Sequence, residues 1–302
     1  MISPEQAIEA ITSRFGRHPG YRALHAKGSF YRATFRPTVD AARLTRAAHM
    51  QGPAIDATVR FSNGSGDPAQ SDNTPDVRGM AVGFHLPDGS RTDIVSQTVP
   101  RFPVSTPEAF IELIKASPTG FARLWRFPLF LARHPRVVPT LSVNANALRP
   151  PPSYAGISYY AVHAFKWIDT NGGERFVRYR WEPEQPEPRL AALEARQRGP
   201  HYLQQELRER LARGPVKFTL MVQLAANSDP VDDPAAGWPE DRETVIAGTL
   251  EVTEPRPLDE ETKLVVFDPM RLTDGIEASN DPVLRFRPRA YSVSVERRAS
   301  GG

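Results

Sequence analysis

Tyr159-Tyr160-Ala161-Val162-His163-Ala164-Phe165-Lys166-Trp167-Ile168, the turn Asn171-Gly172-Gly173, and Arg175-Phe176-Val177-Arg178-Tyr179-Arg180-Trp181 decide the fold class. Both flanks alternate between faces and are rich in aromatic and β-branched residues, and the Gly pair supplies the backbone freedom of a tight turn. They read as a β-hairpin. Working outward, the same alternation predicts strands at 29–35, 57–62, 79–86, 91–96, 216–224 and 244–252. Pro87-Asp88-Gly89-Ser90 joins two of these strands as a turn. Residues 64–76 are Gly, Asp, Asn, Ser and Pro throughout much of their length and read as a loop, and the prolines at 149–153 mark a connector. Helices are predicted at 4–15, from Thr106-Pro107-Glu108 through Lys115, at 120–133, and over 190–213. Hairpins with helices grouped between them argue for an α+β chain with an antiparallel sheet, and this many strands suits a closed barrel, which leaves no edge exposed.

The 302 residues are ample for a core around a buried group and are read as one domain spanning 1–302. Net charge is only +3, which implies no strong field toward nucleic acid or membrane. Arg supplies 33 of the 38 basic residues; this fits a compositional bias, and also a set of rigid guanidinium forks for carboxylates. Cysteine is absent, which removes disulfides, iron–sulfur clusters and thiol nucleophiles, so redox chemistry requires a borrowed cofactor. The N-terminus has neither a basic start nor an apolar run, and the longest apolar stretch, near 127–132, is too short to span a bilayer. A cytoplasmic protein without stable membrane insertion is expected.

Taken singly, the candidate chemical residues carry little. His25 beside Gly28 is more often structural than catalytic. Arg60-Phe61-Ser62 ends a strand, and Gln97 follows Asp93-Ile94-Val95-Ser96 as an edge residue. Tyr291 precedes Ser292-Val293-Ser294-Val295, which alternates like a strand.

Their order changes the reading. Arg22-Ala23-Leu24-His25-Ala26-Lys27-Gly28 resembles the distal segment of the haem catalases, and Val59-Arg60-Phe61-Ser62 is similar to the catalase strand whose Ser meets that His. Asp76-Val77-Arg78-Gly79-Met80-Ala81-Val82 followed by Asp93-Ile94-Val95 looks like the run that leads to the distal amide. Phe267-Asp268-Pro269, Asp274 to Ser279, and Arg287-Pro288-Arg289-Ala290-Tyr291 resemble the approach to the proximal ligand. The likeness spans roughly residues 20–298, in family order. It implies a catalase-like antiparallel barrel of about eight strands with inserted and flanking helices, and haem b (iron protoporphyrin IX) buried beside it. It further implies Tyr291 as iron ligand, His25 as distal acid/base, Ser62 as its hydrogen-bond partner, and Arg22, Arg60 and Arg298 as partners of the haem propionates. Phe110 matches the aromatic on the distal face, and equally suits a helix core. A free phenol titrates near about 10, so a phenolate ligand needs a stabilising neighbour; Arg287, one helical turn earlier, falls on the same face.

Two departures from the family are visible. The family's distal Asn is replaced by Gln97, which moves the amide by about 1.5 Å, enough to disturb the positioning of a second peroxide. The sequence is also much shorter than typical catalases, without their long N-terminal arm or C-terminal helical region, so a shorter, wider channel is expected. Both features favour the small catalase-related haem peroxidases: hydrogen peroxide or an organic hydroperoxide as oxidant, a small reductant as donor, and only weak catalase activity. True catalase activity, rearrangement of a fatty-acid hydroperoxide, and haem binding without turnover are the competing readings. A homodimer is expected in place of the interlocked family tetramer, and no nucleic-acid partner.

Overall fold

The computed structural model describes residues 2–117, 123–259, 262 and 265–299. The quoted hairpin forms as read: β5 (Tyr159–Ile168) and β6 (Glu174–Pro183) pair antiparallel, with Gly172 at φ 84° in the turn. Asp169 Oδ1 accepts the Asn171 and Gly173 amides at 2.8 and 2.9 Å and so fixes the turn. The remaining strands are β1 (Gly28–Pro37), β2 (Ile55–Asn63), β3 (Arg78–His85), β4 (Arg91–Gln97), β7 (Val216–Leu224), β8 (Thr244–Arg256) and the short β9 (Ile276–Ala278). Their order is β4-β3-β2-β1-β8-β7-β6-β5-β9, and the pair Gln97↔Tyr160 joins β4 to β5. Eight antiparallel strands thus close into a barrel, and β9 adds to β5 outside the closure. Gln97 sits on the closing seam.

The barrel is filled by side chains. Phe35, Phe84 and Trp181 meet edge to face, and Phe61 stacks on Tyr154 at 5.5 Å between centroids. These residues belong to the largest buried cluster, so the barrel interior is a core and leaves any ligand site outside it.

Three helices make that outside layer. In α1 (Pro4–Phe15) Ser3 and Gln6 form a reciprocal capping box. α3 (Pro107–Ala116) starts at Thr106 with Pro107 in its first turn; the short α2 (Val39–Leu44) precedes it. After α3 come α4 (Arg123–Arg133) and α5 (Val137–Asn144). Residues 118–122, at the start of the helix read over 120–133, lie outside the described residues. The helix read over 190–213 needs correction. It is two helices, α6 (Ala192–Gln197) and α7 (Tyr202–Arg213), because Gly199-Pro200 intervenes and Pro200 has no N–H to continue the ladder.

Ser292-Val293-Ser294-Val295, strand-like when taken singly, lies in a helix, in keeping with the one-turn spacing read for Arg287 and Tyr291. This helix, α8, runs from Pro282 to Ala299. Asp281 Oδ1 accepts the Val283 and Leu284 amides at 2.8 and 3.1 Å, which caps the helix, and Pro282 occupies its first position. Phe286, Ala290 and Val293, spaced i, i+4, i+7, pack with Ile8, Ile11 and Ile111 from α1 and α3.

Candidate active site

A cavity of about 420 Å³ lies between the outer face of the barrel and helices α1, α3 and α8. His25, Ser62, Gln97, Arg22, Arg60, Phe110, Arg287, Tyr291 and Arg298 all line it, so every sequence-predicted site residue is brought to one space. Its volume is that of an ordinary ligand site.

His25 is held by the backbone before the side chain acts. It is the one non-glycine among the described residues with positive φ, at 54°. That sparsely populated conformation is fixed by His25 N donating to Gly64 O at 3.0 Å and Ala26 N to Ser65 O at 3.0 Å. The loop at 64–76 therefore works as a clamp. His25 Nδ1 and Ser62 Oγ are 3.0 Å apart. Gly79, paired with Ser62 across β2 and β3, leaves room for this: a Cβ there would lie 2.8 Å from both His25 Nδ1 and Ser62 Oγ. Burial first, then Arg60, Arg287 and Arg22, pushes the imidazole down to about 3. The ring is neutral at ordinary pH, with Nε2 remaining after Nδ1 is engaged.

On α8, Arg287 Nε donates to Tyr291 Oη at 2.8 Å, the i, i+4 contact expected from spacing. A longer chain continues from it. Arg287 Nη1 lies 3.1 Å from His163 Nε2, and His163 Nδ1 lies 2.5 Å from Asp281 Oδ2. His163 donates to Asp281 through Nδ1 and accepts from Arg287 Nη1 through Nε2, while Arg287 keeps its Nε donor on the phenol oxygen. Burial holds His163 below its usual range, against the pull of Asp281. Sequence reading missed both residues. His163 falls where β5 leaves register with β6, with Val162, His163 and Ala164 facing the single Arg178, so strand alternation does not report its direction. Asp281-Pro282 was findable as a helix start.

At another side of the cavity three guanidiniums converge. Burial, then Arg60 and Arg298, draws Arg22 down to about 8, and burial draws Arg60 to about 10; burial also lowers Arg298. Arg22 donates to Val265 O at 2.5 Å and Arg60 to His25 O at 2.8 Å, both carbonyls. Arg60 Nε is buried without a hydrogen-bond partner, and so is Gln97 Nε2. A set of mutually repelling cations, Arg60 buried and the other two half-buried, fits a ligand carrying carboxylates. Phe110 lines the cavity and also packs on Phe102 in the helix core, with ring centroids 5.2 Å apart and the planes tilted at 36°. The donor set thus suits a flat apolar cofactor with carboxylate arms and a metal that takes an oxygen ligand.

The catalase family model matches residues 5–301. The catalase-related peroxidase of Mycolicibacterium paratuberculosis is 48% identical, over 98% of this chain and 95% of its own. That of Synechococcus elongatus is 33% identical, over 99% and 90%. A fungal catalase structure superposes with TM-score 0.81 at 25% identity, covering 93% of this chain and 60% of that one. Catalase A from Saccharomyces cerevisiae gives 0.84 at 23% identity, covering 99% and 65%. The chain therefore spans about three fifths of the solved catalases it matches.

Proposed function

Because the chain belongs to the catalase family, we propose that it is a haem b peroxidase that reduces hydrogen peroxide or an organic hydroperoxide while oxidising a small electron donor. The observation that carries this reading is a single cavity lined both by the His25–Ser62 pair and by the Arg287–Tyr291 pair. The family implies haem, and the absence of cysteine excludes thioether attachment, which favours haem b. Bound there, haem would supply the redox-active iron that peroxide reduction requires.

The chain's own residues do the rest. Tyr291 Oη would be the iron ligand, with Arg287 Nε donating a hydrogen bond to it. Arg22, Arg60 and Arg298 would hold the propionates, which would relieve their mutual repulsion. His25 Nε2 takes the proton of the peroxide and returns it to the departing oxygen, releasing water or an alcohol; a neutral ring is required, and its environment keeps it neutral. Ser62 orients that ring through Nδ1. Two electrons and two protons from the donor complete each turnover, and the second peroxide oxygen leaves as water.

Gln97 separates this reading from a true catalase. Disproportionation needs a second peroxide placed as reductant, and the longer amide misplaces it. With haem-replete protein and hydrogen peroxide, an oxygen electrode and a dye-oxidation assay run side by side test the proposal. Dye oxidation is expected to exceed oxygen release; vigorous oxygen release with negligible dye turnover would overturn it.

A further inference from the structure

A helix on the surface of a water-soluble domain ordinarily buries its apolar side and shows water a polar one. α4 does otherwise. Its inward side is apolar as expected: Phe130, with Leu131 beside it, packs on α3 together with Val137 of α5. Its outward side is apolar too. At 100° per residue, Leu124, Pro128, Ala132, Trp125 and Leu129 fall within about 140° of arc, and all five are exposed. Arg133 and Arg126 follow at the border of that arc, both exposed. Of the ten large hydrophobic side chains that stand exposed among the described residues, five lie on α4 and α5. They are Leu124 (70%), Trp125 (53%), Leu129 (44%), Val138 (49%) and Val143 (47%).

Charge tells what covers this face. Between Glu112 and Asp169 the chain has no acidic residue, and it carries Lys115, Arg123, Arg126, Arg133, Arg136, Arg149 and Lys166. The acid that meets the patch in a described contact, Glu112, is paired with His134 at 2.7 Å. A second copy docking through the same face about a two-fold axis would set Arg126, Arg133 and Arg136 against their own counterparts. An anionic surface has the opposite preference. Exposed Trp and Leu bordered by Arg are the composition of a helix lying in the headgroup layer, where the rings and aliphatic chains enter the acyl boundary and the guanidiniums meet phosphate. No helix among the described residues is long and apolar enough to cross a bilayer, so the contact is one of lying on the membrane.

We propose that the α4–α5 face docks this protein onto anionic lipid bilayers. Phe102 and Phe110, which pack beneath these two helices, also line the active-site cavity, so docking brings the lipid surface to within one helix layer of that cavity. The inference stands on the surface alone and does not require the catalytic reading.

Co-sedimentation of the full-length haem-replete protein with vesicles tests it, using phosphatidylcholine alone and an equimolar mixture with phosphatidylglycerol. Binding is expected to the anionic vesicles only, and to weaken as salt rises. Trp125→Ser with Leu129→Ser should lower partitioning by roughly tenfold or more. Turnover of hydrogen peroxide in solution should be unchanged, which also reports that the variant is folded. Four results would overturn the proposal: no binding to the anionic vesicles, equal binding to neutral ones, anionic binding that survives both substitutions, or a dimer that the same substitutions dissociate.

Discussion

A methyl group at position 79 would stand 2.8 Å from His25 Nδ1 and from Ser62 Oγ, closer than side-chain carbons approach such atoms. Gly79→Ala must therefore push the imidazole off Ser62 or move β3. Because displacements of about 1 Å at a catalytic group cost about 100-fold in rate, peroxide turnover should fall by that order while haem content per chain stays at the wild-type level. Steady-state kinetics beside a haem assay checks this, and full activity would show that the His25–Ser62 contact does not matter. At this scale the candidate residues were legible where each lies in one of several short segments whose order along the chain matches the family, and not from any one segment alone. His25, Ser62, Arg287 and Tyr291 are of that kind. His163 and Asp281 are joined across 118 residues by a contact that begins in a strand irregularity, and no local pattern carries it.

Among elements, α8 shows how a local pattern can mislead. Ser292-Val293-Ser294-Val295 has strand periodicity, yet the cap at Asp281, the Pro at 282 and the i, i+4, i+7 set Phe286, Ala290, Val293 make it helical. Tertiary packing against α1 and α3 overrides the short alternation. Asp281 serves that helix twice, as its cap and as the partner of His163. Asp281→Ala should lose about 1 kcal/mol from the cap and about 1–3 kcal/mol from leaving the buried His163 Nδ1–H unpaired. Urea denaturation should record the sum, and a loss below that of a simple cap would mean that His163 finds another acceptor. The strands were easier to read, since their alternation and their turn residues agree. The break between α6 and α7 was missed because Leu190 to Arg213 keeps a helical composition on both sides of Gly199-Pro200.

For the whole molecule, antiparallel pairing and closure were readable as a class, but the order of strands was not. β1 pairs with β8 across more than 200 residues, and the closing pair is the single contact Gln97↔Tyr160. Such non-local pairings follow from shared burial and leave no mark in any one segment. The outer helices that create the cavity are placed the same way, by apolar stripes that meet only in the folded chain. Burial also writes a pH dependence into the fold. His25 and His49 are each pushed to about 3, His49 by burial and His25 by burial and three guanidiniums. Both side chains take a proton near about 6.5 in the unfolded chain. The unfolded state therefore binds more protons as pH falls from about 6.5 toward 3, and stability contributed by these two groups is full above that range and declines through it. Urea midpoints should fall between pH 7 and pH 4.5, and a midpoint that is flat or rises there would contradict the assignment of both rings as neutral in the fold.

Tyr291 is the proposed iron ligand, with Arg287 Nε donating to its oxygen. The absorption spectrum of haem-replete protein, wild type beside Tyr291→Phe, is the direct test. Ferric iron bound by a phenolate has features distinct from those given by His or thiolate. The wild-type protein should show them and the variant should lose them; an unchanged spectrum in Tyr291→Phe would contradict the ligand assignment.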